Sequence, residues 1–145
     1  MQKKQQQELP ISQNIMATVL KAIPKEANVT KIDYEGPRIA IYTKTPRFLM
    51  ENNTVISNLV NTIKKRIVVR TDDSIRKPEE DARKILNETV PKDANLQGIL
   101  FDVTTGEGSI EVKRPWLCQR RVEEFNHAEI TEKTGWKLRI RKSTT

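Results

Sequence analysis

The sequence predicts an α+β protein built from two tandem copies of one small domain, each a three-stranded sheet packed against helices. Three observations carry this. Pro24-Lys25-Glu26-Ala27-Asn28 returns 67 residues later as Pro91-Lys92-Asp93-Ala94-Asn95. Ile41-Tyr42-Thr43-Lys44-Thr45-Pro46 is matched by Ile110-Glu111-Val112-Lys113-Arg114-Pro115 at an offset of 69, as if the second copy had a hairpin two residues longer. Arg66-Ile67-Val68-Val69-Arg70 is answered by Lys137-Leu138-Arg139-Ile140-Arg141. Three segments in the same order, with offsets drifting only at predicted loops, indicate a duplicated domain.

Each element follows from local pattern. Ile11, Ile15, Val19 and Ile23 lie four apart with Met16 and Leu20 alongside, which predicts an apolar helical stripe that Pro24 ends. Val29 to Tyr34 and Arg38 to Thr43 alternate as half-buried strands, joined through Gly36-Pro37 into an antiparallel hairpin. Past Pro46 a short helical piece holds Phe48, Leu49 and Met50, and Glu51-Asn52-Asn53 breaks the pattern. Val55, Ile56, Leu59, Val60 and Ile63 stripe the next helix, which ends in Lys64-Lys65-Arg66, cations favoured at a helix carboxyl end. Ile67-Val68-Val69 closes the copy as a strand. After a polar linker, Thr71-Asp72-Asp73-Ser74, the second copy opens with a helix from Pro78 to Glu88, acids in its first turn. Strands Leu96 to Val103 and Ser109 to Lys113 follow, turned at Gly106-Glu107-Gly108. A helical piece runs from Pro115 to about Glu123. Asn126-His127-Ala128-Glu129 has capping-box spacing for a helix that Gly135 ends, and Trp136 to Arg141 is the last strand.

Composition narrows the function. Apolar residues make up 36% and charged residues 31% of 145, and no run approaches the roughly 18 apolar residues of a membrane span. With no apolar secretory core at the amino terminus, residues 1–9 are expected to be a solvated tail and the protein cytoplasmic, with no membrane partner. The domains are placed at 10–72 and 73–145. The single cysteine, Cys118, excludes an internal disulfide and a Cys-based zinc site, and is expected to be a small buried hydrophobe. A net charge of +7, from 26 Lys and Arg against 19 acids, suits phosphate neutralisation or an acidic protein partner.

The order helix-strand-strand-helix-helix-strand, the two Pro-Lys-acid-Ala-Asn segments, Lys65-Arg66-Ile67-Val68-Val69-Arg70, and Glu129-Ile130-Thr131-Glu132-Lys133-Thr134-Gly135-Trp136 together resemble the amino-terminal tandem KH region of archaeal ribonucleases. Those enzymes are related to the cleavage and polyadenylation specificity factor and carry metallo-β-lactamase and β-CASP domains. The resemblance covers about residues 10–142 and implies two KH-like domains of the type II arrangement. KH domains clamp single-stranded nucleotides with a Gly-X-X-Gly loop between their two central helices. At the corresponding places this chain has Glu51-Asn52-Asn53-Thr54 and Arg121-Val122-Glu123-Glu124, whose Cβ atoms and three carboxylates oppose close approach of a phosphate. Both loops are therefore expected to be degenerate.

The resemblance implies a non-catalytic RNA-recognition or docking region of a zinc-dependent endoribonuclease acting at transcript 3′ ends and in transcription termination. One histidine cannot supply the family's His-X-His-X-Asp-His dizinc centre, so this chain is expected to hold no cofactor, zinc belonging to the catalytic domains. Expected partners are single-stranded RNA, weakly bound, and nuclease domains or a larger assembly, with pairing of two copies through the larger protein. The expected RNA contacts are Lys113, Arg114, Arg120 and Arg121 with Lys137, Arg139 and Arg141; the bland reading of the first four is a solvated basic surface. Trp116 is read as packing, with base stacking the alternative, and His127 as structural. The rival from another class is a protein-interaction scaffold docking to a transcription or translation assembly without clamping RNA.

Overall fold

The computed structural model describes residues 13–118 and 125–144. The chain divides into two units, Met1–Val69 and Arg70–Thr145.

In the first unit α1 (Gln13–Ala22) buries Val19, and Ile23 just past its end is buried too, while Met16 and Leu20 stay 36% and 55% exposed. The stripe is thus narrower than expected, because positions 16 and 20 lie roughly 100° around the helix from 15 and 19. Pro24 ends the helix, and Lys25–Ala27 make one 3-10 turn closed by Asn28 at φ 49°, a left-handed conformation that Asn tolerates. The carbonyls of this turn are fastened to the end of the hairpin: the Lys44 amide donates to the Asn28 carbonyl at 3.1 Å and the Thr43 hydroxyl to that of Ala27. The antiparallel strands β1 (Val29–Glu35) and β2 (Arg38–Thr43) are followed by α2 (Pro46–Glu51), α3 (Asn53–Ile63) and β3 (Ile67–Thr71), with β2 central in the sheet. Val19, Ile23, Ala27, Ile39, Ile41, Leu49 and Leu59 form the core.

The second unit repeats the sequence of elements. After α4 (Glu79–Thr89), Lys92–Ala94 form the same 3-10 turn, closed by Asn95 at φ 63°. The Lys113 amide donates to the carbonyls of Ala94 and Asn95, as Lys44 does to Asn28. The repeated pentapeptide is therefore a structural buckle, its proline stopping a helix, its alanine fully buried and its asparagine turning the chain into the sheet. Strands β4 (Leu96–Asp102) and β5 (Glu107–Val112) pair antiparallel, with a register shift between Leu96 and Gly98 that matches the one between Val29 and Lys31. Their connection, residues 103–106, is two residues longer than Gly36-Pro37, which accounts for the change of offset from 67 to 69. A 3-10 turn Pro115–Cys118, α5 (His127–Thr134) and β6 (Lys137–Lys142), parallel to β5, complete the unit. Leu86, Ile110, Val112, Cys118, Phe125, Ile130 and Leu138 lie in its core.

Three expectations are corrected. Only Gly106 of Gly106-Glu107-Gly108 lies in the turn. Gly108 is a strand residue facing inward, where a Cβ would stand 3.3 Å from that of Trp136 and 3.4 Å from the Phe101 ring. Thr71 is a fully buried strand residue whose hydroxyl accepts from Arg76 Nε at 3.2 Å, not part of a solvated linker. The helical piece at Pro115 is a single 3-10 turn to Cys118; its remainder to Glu123 falls outside the described residues.

The expected cap is present, the Asn126 side chain accepting from the Glu129 amide at 3.0 Å and Gly135 ending α5 at φ 77°. Cys118 is fully buried and burial pushes its thiol up to about 11, in keeping with a small hydrophobe. His127 bonds the Cys118 carbonyl through Nε2 and meets the Phe125 ring edge-on at 5.4 Å. Burial holds the His127 pKa below its ordinary value; its carbonyl partner opposes this and Lys137 reinforces it. The fold thus prefers the neutral ring, and that contribution to stability is complete above the unfolded value of 6.5 and lost as pH falls through the lower folded one. The urea midpoint of the tryptophan signal should fall on acidification below 6.5, and His127→Gln should flatten that fall. Equal falls in both proteins would remove His127 as the cause.

Candidate nucleic-acid interface

Lys113 and Arg114 leave β5 exposed to solvent. The backbone amides of both return to the Ala94 carbonyl, and the Arg114 guanidinium donates to the Asp93 carbonyl at 2.7 Å, so the 3-10 buckle of the second unit positions this pair. Two residues on, Trp116 is 53% exposed, against the expectation that it packs, while Cys118 turns into the core. A 3-10 turn repeats every three residues, so a turn burying residue 118 through the half-buried Leu117 leaves residue 116 outside. Arg120, Arg121, Val122, Glu123 and Glu124 lie outside the described residues.

The basic strand is less cationic than its sequence. Trp136 and Leu138 are buried and Arg139 and Arg141 exposed, as alternation predicts. The parallel register, however, sets Glu107 beside Lys137 and Glu111 beside Arg141. The Glu107 carboxylate lies 3.1 Å from Arg70 Nη1 and 3.7 Å from Arg139 Nη1. Lys137 is partly buried and its pKa is lowered by burial first, with Glu107 raising it and Arg70 lowering it. Arg70 and Glu107 were not singled out by sequence, because the pair is 37 residues apart and no local pattern links them.

In the first unit the expected loop Glu51-Asn52-Asn53-Thr54 is a one-residue break. Glu51 ends α2, Asn53 begins α3, and Asn52 stands between them at φ −122° with its side-chain amide donating to the Phe48 carbonyl at 2.8 Å. No left-handed residue is needed there, so nothing in the backbone calls for glycine. Among the described residues no three His, Cys, Asp or Glu side chains gather as a metal site would need, and no helix is long and apolar enough to cross a membrane.

Residues 10–76 match the family model of the transcription termination factor FttA KH domain. The whole chain is 66% identical over 146 aligned residues to transcription termination factor FttA of Cenarchaeum symbiosum, of which it spans 23%. Over residues 10–76 the chain belongs to the FttA KH family. It is also similar to FttA of Pyrococcus horikoshii, 39% identical over 90% of this chain and 20% of that protein, and of Methanothermobacter thermautotrophicus, 34% over 88% and 20%. The chain thus spans about a fifth of the length of these FttA relatives. Membership in the FttA KH family accords with an α+β, KH-like architecture of three-stranded sheets and helices.

Proposed function

We propose that the chain is a non-catalytic RNA-recognition region of two tandem type II KH-like domains, 10–72 and 73–145, whose Gly-X-X-Gly loops are degenerate. It would serve a cytoplasmic β-CASP endoribonuclease in 3′-end processing and transcription termination, with zinc confined to the catalytic domains. The observation that carries this reading is the FttA KH match over residues 10–76 in a chain of net charge +7. Without glycine loops, binding would rest on phosphate contacts and Trp116 stacking rather than on a backbone clamp.

Salt dependence tests it. Log affinity for a single-stranded oligoribonucleotide should fall linearly with log salt, and neutralising Arg114, Arg120 and Arg121 should flatten the slope by roughly 0.7 per lost contact. No binding at low salt would turn the reading to protein docking, and an unchanged slope in the triple variant would place the phosphate contacts elsewhere on the chain. That second reading draws on Leu100 and Val103, 59% and 65% exposed on and beside β4.

A further inference from the structure

The carboxyl end of α3 carries Lys64, Lys65 and Arg66, all three exposed and none in an ion pair among the described residues. Lys64 takes the left-handed conformation at φ 60°, its amide bonded to the Val60 carbonyl at 2.8 Å. Gly135 holds the corresponding position in the second unit at φ 77°, its amide bonded to the Thr131 carbonyl at the same 2.8 Å. Glycine is the residue this conformation favours. In the second unit it is also obligatory, since a Cβ on Gly135 would stand 2.0 Å from the Ile75 carbonyl oxygen. In the first unit the place is open to solvent, and it holds a lysine at a cost in backbone comfort. A long cation kept where glycine is preferred points to use of its charge.

The surroundings say which charge it meets. The helix α3 has no ionisable side chain in Asn53–Ile63, and its exposed residues, among them Ser57, Asn58 and Asn61, are uncharged hydrogen-bonding groups. Its counterpart α5 carries Glu129, Glu132 and Lys133. The large apolar residues exposed among the described residues, Met16, Leu20, Leu100, Val103 and Trp116, all lie on other segments. A cationic end approached along a helix face without carboxylates suits a phosphate backbone. The Arg66 carbonyl accepts from the Ile39 amide at 2.9 Å, so the basic trio is fixed to the sheet rather than to a free tail.

We propose that Lys64, Lys65 and Arg66 form a phosphate-binding knuckle of the first unit that holds single-stranded RNA, with Asn58 and Asn61 within reach of the bases or sugars of the same strand. The inference rests on the RNA-recognition reading but moves a main part of the contact from the second unit to the first. The test uses the full chain and a labelled single-stranded oligoribonucleotide, titrated from about 50 to about 200 mM salt. Lys64→Gly/Lys65→Gln/Arg66→Gln should bind about tenfold more weakly at the low end, with a log-log slope flatter by about 2, three contacts at roughly 0.7 each. Its urea midpoint should equal or exceed that of the parent, because glycine fits position 64. Lys65→Glu alone, at an exposed site, is the second variant and should weaken binding in the same direction. If RNA binds the parent and both variants with one slope, the knuckle is overturned and the general reading stands. If the parent binds no RNA, both fall. If polyglutamate displaces the RNA as well as unlabelled RNA does, the surface is one for acidic protein and the knuckle proposal is overturned.

Discussion

Gly135→Ala is expected to destabilise the second unit by about 4 kcal/mol, among the larger effects a single methyl group can have. Two costs combine. A left-handed conformation disfavours any Cβ by about 1–2 kcal/mol, and here the new atom would stand 2.0 Å from the Ile75 carbonyl oxygen and 2.7 Å from Arg76 Cα, both backbone. The segment that must give way is anchored: the Lys77 amide donates to the Thr134 carbonyl at 3.0 Å, Trp136 Nε1 to the Lys77 carbonyl at 2.9 Å, and Arg76 to the Thr71 and Val103 carbonyls at 2.7 and 2.8 Å. Gly36→Ala is the internal standard, with φ 63° but nothing within 4 Å of its Cβ, and should cost about 1 kcal/mol. Both tryptophans belong to the second unit and both tyrosines, Tyr34 and Tyr42, to the first, so urea unfolding followed by tryptophan fluorescence reads Gly135→Ala and followed by tyrosine fluorescence reads Gly36→Ala, each shift taken against the parent. A Gly135→Ala shift no larger than that of Gly36→Ala would refute the account of the close approach.

Glu107→Ala should cost about 3 kcal/mol, because it removes a carboxylate 3.1 Å from the guanidinium of Arg70, a residue 5% exposed. Replacing both together, Arg70→Met with Glu107→Leu, should recover most of that loss, since a buried pair contributes little beyond what apolar packing supplies in its place. Arg139→Gln, at a side chain 60% exposed and 3.7 Å from the same carboxylate, should change stability by no more than about 0.5 kcal/mol. The three midpoints, measured in one buffer, separate buried pairing from surface charge. Equal stability of Glu107→Ala and the parent would show that the network has no structural part.

Sequence revealed what was local. The hairpins and the helix that Asn126 caps and Gly135 ends are written in periods of two or 3.6 and in short capping patterns, while the repeated pentapeptides marked the duplication but not the left-handed turns at Asn28 and Asn95. What stayed hidden had a distant cause. Gly106 and Gly108 look alike as turn residues, yet only the first turns the chain; the second is glycine because Trp136 and Phe101 press against it. Thr71 reads as polar linker until Arg76 and the strand bury it. The candidate interface divides the same way. Lys113, Arg114 and the alternating face of β6 were visible as basic residues, but their neighbours were not: Glu107 and Glu111 reach Lys137 and Arg141 only through the strand register. Lys64 was visible as a helix-end cation, while its left-handed backbone was not.

The fastening of Arg76 and Lys77 onto Trp136 and Thr134 bears on where the seam of the duplication lies. The polar stretch beginning at Thr71 looks like the natural place to part the halves, yet Arg70 and Thr71 already serve the second. A fragment beginning at Asp73 would lack Arg70, the nearer of the two guanidinium partners of Glu107, and the threonine that holds Arg76. One ending at Arg76 would carry these side chains away from the residues they close. Each half as a folding module is therefore longer or shorter than its sequence repeat, and the border between them runs inside a β-strand.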